Sequence, residues 1–177
     1  MKSLCVRITG ERAAQKAIEL IAGQGFFRRL LKRPSNVPLD PDAYEVKLLY
    51  KPYYFMKTTS ITHYALRKDK TDADEVALFI DGTTNVLRSY AYDSIGGFEE
   101  VDIPEDARIA HITTPENIQR KVRGYKMLRK KKGVTFGDEL DDFQLVYKPV
   151  WVVKAKESNR FVLVDGVNGE TVIGGIG

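Results

Sequence analysis

The stretch Leu48-Leu-Tyr-Lys-Pro-Tyr-Tyr-Phe-Met-Lys57 returns 97 residues later as Leu145-Val-Tyr-Lys-Pro-Val-Trp-Val-Val-Lys154. Five of the ten aligned positions are identical, and the other five exchange apolar or aromatic residues. At period two, Val46, Leu48, Tyr50, Pro52, Tyr54 and Met56 share one face. Phe143, Leu145, Tyr147, Pro149, Trp151 and Val153 take that face in the second copy. Successive side chains of a strand point to opposite faces, so both copies are expected to turn this set inward and carry lysines outward. Pro52 and Pro149 have no N–H to give a ladder, which predicts an edge, a bend or a bulge at the same point of each copy.

Working outward, each copy is followed by a second echo, Leu78-Phe-Ile-Asp-Gly82 and Val162-Leu-Val-Asp-Gly166. Asp81-Gly-Thr-Thr-Asn85 and Asp165-Gly-Val-Asn-Gly169 read as tight turns in which Asn and Gly supply positive φ. Returning strands are expected over 75–81 and 160–165, joined to the long strands by polar turns at 68–74 and 157–159. Further strands are expected over 86–92 and 170–173, and both copies close on Ile-Gly-Gly, at Ile95 and Ile173. Ahead of each copy the spacing predicts a helix. The first carries Ala14, Ala17, Ile18 and Ile21 on one face and runs into Arg28-Arg-Leu-Leu-Lys-Arg33 before Pro34. The second opens at Pro115-Glu116, with Ile118, Val122, Tyr125 and Leu128 as its apolar stripe. Short strands over 4–8 and 108–113 precede the helices, and 35–43 reads as a loop. The expected fold class is α+β, an internal duplication of a helix plus an antiparallel β-meander. Residues 1–98 form the first unit and 108–177 the second, with an acidic connector over 99–107.

An apolar share of 43% and a charged share of 29% are those of a globular chain. No apolar run approaches the roughly 18 residues that span a bilayer. Arg7 stands where a signal peptide needs its apolar segment, so a cytoplasmic location without a membrane span is expected. The single cysteine, Cys5, forms no internal disulfide and is read as a small apolar strand residue.

The net charge of +4 is modest, so clustering decides what it means. Eight of the thirteen residues from Arg120 to Lys132 are Lys or Arg, among them Arg123, Lys126, Arg129, Lys130, Lys131 and Lys132. They read either as a surface for phosphates or as a solvated helix end, favoured by its dipole and offset by Asp138, Glu139, Asp141 and Asp142. Tyr53 and Phe55 fall on the strand face opposite that of Tyr50 and Tyr54, where they either pack in a sheet-to-sheet contact or form an exposed patch for a protein partner, for self-association or for stacking on bases. Asp40 and Asp42, with the aligned run 138–142, lack the spacing of a calcium loop. Asp81 and Asp165 open turns. His63 and His111 have no nucleophile partner in the sequence, and no phosphate-cradling glycine loop occurs. No catalytic residue, metal or cofactor is expected.

The run Val162-Leu-Val-Asp-Gly-Val-Asn-Gly-Glu-Thr-Val172, placed behind a helix and a strand, is similar to the PepSY type of repeat. In that pattern a strand ending in a valine–aspartate pair precedes a Thr-Gly-Glu turn. Val164-Asp165 and Gly169-Glu170 match, while Asn168 stands in place of threonine. The first unit, with Ile80-Asp81 and Thr84-Asn85, departs further. The resemblance implies an inhibitory or regulatory module, of a kind often exported or membrane-linked. The expectation is a non-catalytic binding or regulatory protein of two duplicated units. The alternative is a nucleic-acid-binding protein that uses basic helix ends.

Overall fold

A computed structural model describes residues 1–30, 43–64, 67–137, 143–156 and 160–175. In chain order the elements are β1 (Lys2–Leu4), α1 (Gly10–Leu30), β2 (Tyr44–Tyr64), β3 (Arg67–Asp81), β4 (Leu87–Ala91) and β5 (Phe98–Glu100). Then come α2 (Pro115–Lys130), β6 (Val134–Phe136), β7 (Gln144–Ala155), β8 (Arg160–Asp165) and β9 (Thr171–Gly175). Two helices among largely antiparallel strands make the class α+β. Residues 1–4, 51–103 and 108–147 form one compact unit, and residues 5–50, 104–107 and 148–177 form another. These units interleave the two halves that the sequence echo delimits. The start of the expected connector, residues 99 and 100, belongs instead to β5, which pairs with β1.

In the first unit β3 runs antiparallel to β2 from Tyr53↔Asp81 to Tyr64↔Arg67. β4 extends β3, and β6 pairs with β2 at residues 60–62. α2 covers the even-numbered face of β2, where Met56, Leu78 and Ile80 pack with Ile118 and Val122 inside a rim that includes Tyr54, Leu87 and Tyr125. The helix starts where it was expected. The Thr114 hydroxyl accepts the Asn117 N–H at 3.3 Å, and Pro115, which lacks an N–H, stands in the first turn. Steps of four, three and four carry its inward side through Ile118, Val122, Tyr125 and Arg129. Leu128 therefore falls off the stripe assigned to it and is 62% exposed.

The odd-numbered face of β2 is covered as well. Phe55 lies 4.7 Å from Phe98 and 5.1 Å from Phe79, ring centre to ring centre, and Phe79 meets Tyr53 and Tyr90 edge-on. Phe55 is buried and Tyr53 is half-buried, so this face is packed, as one of the two readings has it, and Phe55 offers no open aromatic patch. A single aromatic from β5 closes over a face that alternation alone leaves open.

The second unit stacks α1 on β7, β8 and β9. Ala13 and Ala17 are small enough to bring the helix close, and Ile8, Ile18, Tyr44, Val153, Val162 and Val164 complete the core. Trp151 packs against its edge and lies along the first turn of α1, where a Cβ on Gly10 would stand 3.2 Å from the indole.

Several expectations are corrected. Val46 and Leu145 are 39% and 40% exposed, whereas Val146, on the other face, is fully buried. β1 stops at Leu4, so Cys5 is not in a strand. Residues 109–113 form no strand, and the N–H groups of Ile112 and Thr113 donate to the Gly82 carbonyl of a turn. The polar run 68–74 is not a turn but the first half of β3. Pro52 and Pro149 are fully buried, each one residue outside the last pair of its ladder, Tyr53↔Asp81 and Val150↔Asp165. The expected loop over 35–43 lies outside the described residues except for Ala43.

Candidate functional site

The charged residues divide into those that structure consumes and those it leaves on the surface. In the first unit one oxygen of Asp81 accepts the N–H groups of Thr83 and Thr84 at 2.9 and 3.2 Å and the Thr83 hydroxyl at 2.7 Å. The other meets the Lys51 ammonium at 2.5 Å. Burial alone would raise the Asp81 carboxyl pKa, but the bonds from Lys51 and Thr83, with the Lys51 charge, outweigh it and hold the group below its ordinary value. Gly82 then ties the turn down. Its N–H donates to the Pro52 carbonyl at 2.9 Å, and its carbonyl accepts the N–H groups of Ile112 and Thr113.

The second unit repeats these bonds except that of the Thr83 hydroxyl, whose place Val167 takes. Asp165 accepts the N–H groups of Val167 and Asn168 and pairs with Lys148. The Gly166 N–H donates to the Pro149 carbonyl, and its own carbonyl accepts Arg7 and Ile8 N–H. Trp151 donates its indole N–H to the Ile8 carbonyl at 2.7 Å, where the first unit has the Tyr54 hydroxyl on Thr113 at 3.4 Å. Carboxylates so fully saturated are poor general bases. They are turn residues, as expected.

The surface charge gathers on α2 and the turn that closes it. Arg123, Lys130, Lys131 and Lys132 are exposed, as are Arg120 and Lys121, while Lys126 and Arg129 are half-buried. Arg129 lies over the Tyr125 ring at 6.0 Å, and its Nε is buried with no partner among the described residues. Arg120 bonds the Asn117 side chain at 2.7 Å. Among the described residues no carboxylate forms an ion pair with any of these cations. The acids expected to offset them, residues 138–142, lie outside the described residues, as do Asp40, Asp42, Lys32 and Arg33.

Tyr53 and Phe55 sit on the sheet face opposite α2, so the expected site residues do not form one constellation. His63 is exposed and bonds the Thr135 hydroxyl at 3.0 Å, and His111 bonds the Tyr54 hydroxyl at 2.8 Å. Among the described residues no cluster of three metal-ligating side chains occurs. A shallow groove of about 450 Å³ in the second unit is walled by Tyr44, Val46 and Trp151, with Glu11 and Lys156 in its lining. Sequence reasoning missed Met127 altogether: it is 66% exposed, beside Leu128 in the middle of the basic run. Helical phase identifies it, since 127 lies opposite the inward side set by 118, 122, 125 and 129.

No protein family, curated protein or solved structure matches this chain. Among the described residues no helix is long and apolar enough to cross a membrane.

Proposed function

We propose that this chain is a non-catalytic binding or regulatory protein. Its two α+β units would descend from one duplicated, PepSY-like unit, and its partner is a phosphate-rich anion received on the outer side of α2. One observation carries the reading: the charges of the turns are internally paired, whereas Arg120, Lys121, Arg123, Lys130, Lys131 and Lys132 stand exposed without a carboxylate among the described residues. The inner side of the helix is fastened to the sheet by Ile118 and Val122, so the cations are displayed on a preformed element. The duplicated ancestry is supported by the matching bonds around Asp81-Gly82 and Asp165-Gly166.

The test is an anisotropy titration of labelled single- and double-stranded oligonucleotides, used as phosphate polyanions, at two salt concentrations. It compares the wild type with a variant carrying alanine at Arg129, Lys130, Lys131 and Lys132. Each lost phosphate contact removes about 0.7 to 0.9 from the slope of log affinity against log salt, so the variant binds more weakly and with a shallower slope. Equal affinities for the two proteins, or no binding at low salt, would remove α2 as a phosphate-binding surface. Sequence-independent binding in the nanomolar range at physiological salt would favour nucleic acid as the natural partner.

A further inference from the structure

Resting on the reading of α2 as a phosphate-binding surface, we propose that the partner is an anionic lipid surface, on which α2 lies with Met127 and Leu128 pressed into the headgroup boundary. Both residues are well exposed although they belong to a helix with a filled core side. Their surroundings follow from helical spacing, which makes residues three and four apart neighbours. Met127 has Arg123 one turn before it and Lys130 and Lys131 one turn after. Leu128 has Gly124 and Tyr125 before it and Lys131, which caps the helix, after. The apolar pair thus has cations beside it, and a side chain on Gly124 would meet nothing within 4 Å, so the helix beside the pair is open among the described residues.

Charge complementarity selects an anionic partner, and the apolar pair selects among anionic partners. A phosphodiester backbone gives Met127 and Leu128 nothing to bury against. A lipid surface offers acyl chain beneath a layer of phosphates and carboxylates, with the long Lys and Arg stems reaching up from the apolar level to the charged one. The inner side of α2 is committed to Ile118, Val122 and Tyr125, so the helix keeps its fold and offers the membrane only its outer side. At 16 residues it is a helix that rests on a bilayer and does not cross it. Two apolar side chains with a handful of cations give an attachment that is reversible, salt-sensitive and dependent on anionic lipid.

The test is co-sedimentation with phosphatidylcholine vesicles and with vesicles containing added phosphatidylserine, run beside the oligonucleotide titration. The wild type is compared with the double variant M127Q/L128Q. Both positions are exposed, and a matching circular dichroism melt verifies that the variant is folded. The expected result is partitioning onto anionic vesicles at least ~10-fold above phosphatidylcholine. In M127Q/L128Q the vesicle partitioning falls about tenfold, while oligonucleotide affinity stays within about twofold of the wild type. Vesicle binding that M127Q/L128Q leaves unchanged overturns the proposal. Oligonucleotide binding without vesicle binding overturns it too, while leaving α2 as a phosphate surface; binding of neither ends both readings.

Discussion

Gly166→Ala tests the joint on which the second unit is built. A Cβ at this position would stand 2.8 Å from the Pro149 carbonyl oxygen, 2.9 Å from its Cβ and 3.0 Å from its Cγ. None of these atoms belongs to a flexible side-chain end, so the turn has to retreat. It is held by three short bonds: its own N–H to Pro149, and the N–H groups of Arg7 and Ile8 to its carbonyl, all between 2.9 and 3.0 Å. Stretching three such bonds, which forfeits part of the about 0.5 to 1.5 kcal/mol that each contributes, and crowding a buried site, at about 1 to 3 kcal/mol, predicts a loss of about 2 to 4 kcal/mol. For a chain of this size that is a fall of roughly 4 to 16 °C in melting temperature. Gly124→Ala is the control. It adds the same methyl group on a helix, in open space, and gains about 0.5 to 1 kcal/mol from helix propensity. Urea denaturation of the three proteins decides. If Gly166→Ala falls within about 0.5 kcal/mol of the wild type, the turn is not a close-packed joint and the reasoning fails.

The Lys51–Asp81 pair makes stability pH-dependent. Because the folded carboxyl titrates below its ordinary value, its contribution is complete above the ordinary carboxylate range, near pH 4, and is lost as the pH falls through the lowered value. Lys51→Met is expected to cost about 1 to 3 kcal/mol at neutral pH and to flatten that acid dependence, read from urea midpoints across a pH series. An unchanged pH profile would refute the pairing. Asn85 holds φ at 59° with its Oδ1 buried and unbonded among the described residues, at the turn position that Gly169 fills in the second unit. Asn85→Gly is therefore expected to be neutral or stabilising by up to about 1 kcal/mol, and Asn85→Val to destabilise by at least about 1 kcal/mol. The reverse order in thermal melts would show that the side chain, not the backbone angle, sets this turn.

What could be read from the sequence was what local chemistry decides. The Asp-Gly turns at 81–85 and 165–169, the start of α2 at Pro115 and the strand 160–165 each depend on residues within a few positions of one another. Phe55 shows the limit of that reading. Period two separates the faces of a strand, but burial of the second face depends on Phe98, 43 residues away. The run 68–74 is polar enough for a turn, yet ladder bonds are made by backbone, and pairs such as Ile61↔Ala73 and Thr62↔Asp72 hold it as strand, with the Tyr64 hydroxyl on Asp72 at 2.6 Å. Of the candidate site, the basic run was legible as charge. That Met127 and Leu128 surface within it was not, because Leu128 suits an apolar stripe until Arg129 takes the inward place.

The joints at Gly82 and Gly166 carry a consequence for how such a chain can change. Each fastens the approach to a helix through carbonyl and amide groups, with the side chains that the two units share confined to one turn and one strand. Nothing in that fastening reads the outer surface of the helix it positions. The outer surface of α2 is therefore free to accumulate or shed charge with little effect on folding. A new recognition surface can be written there by surface substitutions alone, on a mount that holds its place while the letters change.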